Sequence, residues 1–88
     1  MTGLDAFIAA FDRMPVGSYG ATFEFKRYRV SKSVMATGRS QKLVAEELGG
    51  NDFISFNLYR LASGETLLKP CEMSEDKVID FVMRVDVD

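Results

Sequence analysis

The sequence predicts an α+β fold: a five-stranded antiparallel meander sheet with an N-terminal and a C-terminal helix packed on one face. Three observations predict it. Apolar residues recur at helical spacing at both ends of the chain, and they alternate with polar residues in between. The connections between the alternating runs are short and mostly glycine-bearing, which suits antiparallel neighbours. The 88 residues read as a single domain, 1–88, without internal repeats.

The first helix is marked by Leu4, Phe7, Ile8 and Phe11, which fall on one face at i, i+3, i+4 and i+7. Thr2 can cap it, Asp5 suits the positive end of its dipole, and Pro15 and Gly17 stop it. The run SYGATFEF puts Tyr19, Ala21, Phe23 and Phe25 on one side of a strand, and Lys26-Arg27 is the expected turn. YRVSKSVM follows, with Tyr28, Val30 and Val34 in phase, and ATGRS leads into QKLVAEEL. GGND is a hairpin turn, FISFNLYRL the best-patterned strand, and TLLK a short fifth strand ended by Pro70. In the last helix Ser74 is the N-cap, Glu75 and Asp76 fill the first turn, and Met73 can staple onto Val78. Val78, Phe81, Val82 and Val85 form its apolar face.

The pairing of the third and fourth strands decides which polar residues meet. A two-residue loop at Gly50-Asn51 puts Leu43 and Ala45 beside Ile54, Phe56 and Leu58, with Glu46 opposite Ser55 and Lys42 opposite Tyr59. An odd loop would swap the faces of the third strand.

Composition narrows the chemistry. There is no histidine, which removes the Ser-His and Cys-His triads and histidine zinc sites. One cysteine makes neither an internal disulfide nor a thiolate zinc centre within one chain. Neither the phosphate-binding loop nor the dinucleotide glycine fingerprint is present. Glu46 and Glu47 are strand neighbours and point to opposite faces, so they do not act on one bond. No metal or cofactor is expected. The N-terminus lacks a basic leader and a long apolar run, and the expected location is cytoplasmic, with no membrane association.

Three constellations remain. Cys71 lies in KPCEMS just before a helix N-terminus, where a thiolate is favoured, although a buried cysteine in that corner fits equally simple rules. The hairpin Lys26, Arg27, Arg29 and Lys32, with Tyr28 between, lies in a stretch (26–42) that holds six of eleven basic residues and no acid. Such a stretch can touch nucleic acid, but the net charge of −2 makes nucleic acid a poor candidate partner. Third, alternation places Arg29, Ser31, Ser33, Glu46, Ser55, Asn57 and Tyr59 on the sheet face away from the helices, with Phe53 and Leu61 on the same side. A mixed polar face with exposed apolar area suits a protein or peptide partner, or a second copy of the chain.

Residues 45–82, AEELGGNDFISFNLYRLASGETLLKPCEMSEDKVIDFV, resemble a family of small bacterial proteins of unestablished function that share an EELGG…SFNLYRL…LKPCEM pattern. Some members carry the label peptide methionine sulfoxide reductase, and the resemblance then implies Cys71 as nucleophile. The chain lacks the Gly-Cys-Phe-Trp motif of one reductase class and the paired Cys-x-x-Cys motifs and histidines of the other. The leading expectation is a non-enzymatic binding module. The alternatives are a thiol-dependent reductase using Cys71 and a weak nucleic-acid binder using residues 26–32.

Overall fold

A computed structural model describes residues 3–88. Its elements are α1 (Gly3–Arg13), β1 (Gly17–Phe23), β2 (Lys26–Met35), β3 (Ser40–Glu47), β4 (Phe53–Arg60), β5 (Thr66–Pro70), α2 (Glu75–Arg84) and β6 (Asp86–Val87). The fold is α+β with an antiparallel sheet and two helices, but the sheet has six strands, in the order β5-β4-β3-β2-β1-β6. The sixth arises because α2 ends at Arg84. Val85, expected on the helix face, is its C-cap in extended conformation, and the chain then pairs with Ala21 and Thr22. Arg27 holds this strand in place by donating to both oxygens of Asp88, at 2.9 and 2.6 Å. The pair lies over Gly20, where a Cβ would come within 2.6 Å of either partner. Among the described residues no helix is long and apolar enough to cross a membrane.

The cap on α2 forms as the sequence suggests, with Lys77 N donating to Ser74 Oγ at 3.2 Å. The Thr2 cap lies outside the described residues. The first turn differs from expectation. Phe23 pairs with Lys26, so the turn is Glu24-Phe25, and both residues have positive φ, 52° and 67°. Type I′ geometry normally selects Asn-Gly, and two L-residues here carry a local conformational cost. Phe25 therefore leaves the strand face and is fully exposed at the tip.

Register puts Ala21, Phe23, Tyr28, Val30, Leu43, Ala45, Ile54, Phe56, Leu58 and Leu68 on one face, and all are buried. Rings from both helices meet it. Phe7 and Phe11 lie 5.6 and 5.3 Å from Phe56, and Phe81 lies 4.9 Å from Phe23 and 5.3 Å from Tyr28. Burial of this aromatic and aliphatic set is the main source of stability, at roughly 1.5–3 kcal/mol for each large side chain.

Two polar groups pin the helices. Lys32 follows Tyr28 and Val30 in phase and is 4 % exposed. Its ammonium donates to the carbonyls of Phe11 (2.6 Å) and Met14 (2.9 Å) and lies 4.1 Å from the Phe11 ring centroid. It thereby serves carbonyls that the helix end leaves without a full set of donors. Burial pushes its pKa down, partly offset by Asp12. Asp52, in the β3–β4 loop, accepts from Tyr28 Oη (2.8 Å) and Lys77 Nζ (2.7 Å) and so joins β2 to α2. Its carboxyl is held below the usual value of 3.8, chiefly by the Lys77 bond, with burial opposing.

Lys32→Met keeps the apolar stem and removes the donors. The freed charge-burial cost opposes the loss of two charge-assisted bonds, and the bonds win because a buried helix-end carbonyl is left unserved. Urea denaturation will show a loss of about 1–3 kcal/mol; a variant as stable as wild type would mean the ammonium is no net support. For Asp52 the folded pKa is depressed, so its contribution is complete above the unfolded value near 3.8 and disappears as pH falls through the folded value. The stability gap between wild type and Asp52→Asn will accordingly be open at pH 6 and close on titration toward pH 2 (urea midpoints across pH). A gap independent of pH would remove the charge from the explanation.

Candidate functional site

The seven polar residues chosen from the sequence lie together on the sheet face opposite the buried one, but in different pairings. Glu46 is opposite Phe53 and Lys42 opposite Asn57, because Glu47 closes onto Asp52 with four residues, 48–51, between them rather than two. Both loops are even, so the faces stay as expected and each partner shifts by two. Glu47 N donates to Asp52 O at 2.9 Å, and the Glu47 side chain folds over Gly50 and accepts from Asp52 N at 3.2 Å.

The face is made of four rows running across the strands. Arg29, Glu46 and Phe53 form one, with the Lys77 ammonium 6.0 Å from the Phe53 ring centre at the rim. Ser18, Ser31, Val44 and Ser55 form the next, and the Ser18 and Ser31 hydroxyls are 2.8 Å apart. Ser33, Lys42, Asn57 and Lys69 make the third. Met35, Ser40, Tyr59 and Leu67 make the fourth. Arg29, Ser31, Ser33 and Glu46 are exposed, while Ser55 and Asn57 are half-buried. Met35, Phe53, Tyr59 and Leu67 are 51, 40, 36 and 41 % exposed, so apolar area stands open among the polar groups. Leu61 is also exposed but lies past the end of β4.

Cys71 joins this face. Pro70 does not end the pairing: Cys71 N donates to Ser55 O at 2.9 Å, one step beyond the Phe56–Pro70 pair. The thiol is half-buried, and the Asn57 amide donates to Sγ at 3.9 Å. Neither a site beneath α2 nor an open cleft describes it; it stands beside Ser55 and Asn57. The next residue, Glu72, has φ 62°, a left-handed turn that leads the chain from β5 toward α2.

The basic hairpin does not stay together. Lys32 is on the inner face, and Arg27 is bound to Asp88. Arg29 and Lys26 remain exposed. Tyr28 is buried, and burial together with the Asp52 bond pushes its pKa well above the ordinary phenol value.

Sequence reasoning placed Lys42 on the outer face, opposite Tyr59, but missed Lys69, Met35 and Leu67 there. For Met35 the signal is present, since it lies two residues beyond Ser33; no residue of β5 has a face assigned from the sequence. Among the described residues no group of three or more His, Cys, Asp and Glu side chains could hold a metal ion. Cys71 has no titratable base among its hydrogen-bond partners, so the arrangement offers contacts and donors more than proton transfer. Comparison with protein-family models, curated proteins and solved structures returned no match.

Proposed function

We propose that this protein is a non-enzymatic cytoplasmic module that binds a protein or peptide through the outer face of its sheet, both helices lying on the inner face. One observation carries the reading: Met35, Phe53, Tyr59 and Leu67 stand exposed among Arg29, Ser31, Ser33, Lys42, Asn57 and Lys69 on a face whose register makes it continuous across β2 to β5. Phe53, Tyr59, Met35 and Arg29 are of the residue types enriched at contact surfaces. Tyr59 lies directly between Ser40 and Leu67, so it is the anchor of the fourth row. A second copy of the chain is one partner this surface would accept, through an isologous contact.

A second reading has its own observation. Cys71 stands on the same face with a donor aimed at its sulfur. In a thiol-dependent sulfoxide reductase, the sulfoxide oxygen would pass to Sγ, leaving a sulfide and a sulfenic acid. Two molecules of an external thiol would restore Sγ, forming a disulfide and water, since the chain has no resolving cysteine of its own.

Peptides selected against the immobilised protein will lose about tenfold or more in affinity on Tyr59→Ala, measured by calorimetry. Peptides indifferent to both Tyr59→Ala and Asn57→Asp would place the contact elsewhere. If the partner is the chain itself, sedimentation velocity will show a dimer that Tyr59→Lys dissociates. Separately, Cys71→Ser will leave peptide affinity within about threefold, because the sulfur is peripheral to the apolar row. Reduction of a methionine sulfoxide peptide by wild type with an external thiol, lost in Cys71→Ser, would instead favour the second reading.

A further inference from the structure

A separate cavity of about 330 Å³ opens on the other side of the molecule, where the C-terminal ends of both helices meet β6. It lies at the lower end of the roughly 300–1,000 Å³ typical of small-molecule sites. Ala10 and Met14 form one wall, Val82 and Met83 another, and Val85 and Val87 close it. Two side-chain hydrogen bonds fix the first wall. Lys32 Nζ holds the Met14 carbonyl at 2.9 Å, and Tyr19 Oη donates to the Pro15 carbonyl at 2.8 Å. The helix end and the corner after it are therefore set before any ligand arrives. Met14 and Met83 contribute flexible thioethers, which let an apolar wall adapt to its occupant.

Arg13 is the charged residue of the lining. A cation in the last turn of a helix ordinarily serves the terminal carbonyls. Here Lys32 serves them instead. The nearby Arg84 is already bonded to Asp80 (2.8 Å) and Glu24 (3.1 Å). Among the described residues Arg13 takes part in no ion pair. A cavity walled mainly by apolar side chains, with one cation that pairs with no acid among the described residues, is complementary to a molecule that is apolar along its length and anionic at one end. We propose that this groove binds a medium-chain carboxylate, its chain between the two methionines and its carboxylate accepting from the Arg13 guanidinium. The site shares no residue with the outer sheet face, so the two readings stand or fall separately.

The methionines supply the readout. With methyl-¹³C methionine in the full chain, Met14 and Met83 report on the cavity, and Met35 and Met73 lie outside its lining. Octanoate will shift the first two methyls saturably, at about 0.1–1 mM, while the other two stay still. Affinity will fall about fourfold for each methylene removed, to nothing measurable for acetate. Arg13→Gln, an exposed substitution, will weaken octanoate about tenfold and bring it level with octanol. All four of these methyls shifting together, no approach to saturation by about 10 mM, or equal octanoate affinity in wild type and Arg13→Gln would each overturn the proposal.

Discussion

The seating of the C-terminal end of α1 on the sheet depends on the buried ammonium of Lys32. A helix of eleven residues is too short to be stable alone, so α1 exists because its aromatic face packs on the sheet. Packing of Phe7 and Phe11 on Phe56 does not specify where the helix ends. Lys32 marks that end, because its donors reach the Phe11 and Met14 carbonyls. The charge is expensive to bury, and burial lowers its pKa. It is tolerated because both carbonyls and the Phe11 ring face it. By comparison the exposed pairs Asp12–Arg60 and Glu24–Arg84 contribute only about 0–1 kcal/mol each and tune the edges.

That single placement has consequences on both sides of the sheet. It removes a cation from the basic hairpin and so leaves Arg29, Lys42 and Lys69 as the positive groups of the outer rows. It also occupies carbonyls at the end of α1 that a cation in the last turn, such as Arg13, can serve, and Arg13 is part of the cavity lining. A substitution at Lys32 would disturb the cavity wall through Met14 before it disturbed the outer face. The outer rows are carried by the β2–β5 ladder, which does not run through α1.

Much of this was legible from alternation, and the failures have physical reasons. The buried and outer sets of β3 and β4 follow from parity, since a misplaced face would expose Leu43, Ala45, Phe56 and Leu58. Register within a parity was not legible: loops of two and four residues bury the same side chains, and only the backbone at Glu47 and Asp52 distinguishes them. The Glu24-Phe25 turn gave no signal because it uses left-handed backbone without glycine or asparagine. β6 has two residues, too few for any period. Lys32, by contrast, could have been found. The phase that sends Tyr28 and Val30 inward reaches it two residues later, and reading it by charge alone set it on the wrong surface.

Cys71 is the clearest case of a local rule applied one step too soon. Proline cannot donate to a ladder, and that suggests a strand end. Pro70, however, occupies an edge-strand position whose missing N–H faces away from β4, so no bond of the existing ladder is lost there. Pairing continues to Cys71, and the alternation Leu67, Lys69, Cys71 carries the thiol onto the outer face. The turn at Glu72 then leads the chain to the α2 cap at Ser74. Position alone therefore puts the thiol beside Ser55 and Asn57, and among the described residues its side-chain partner is an amide. An amide can orient a sulfur or a peptide carbonyl equally well, but it cannot take a proton from either. Among the described residues the thiol's hydrogen bonds include no titratable group, while exposed apolar and polar side chains run the length of four rows.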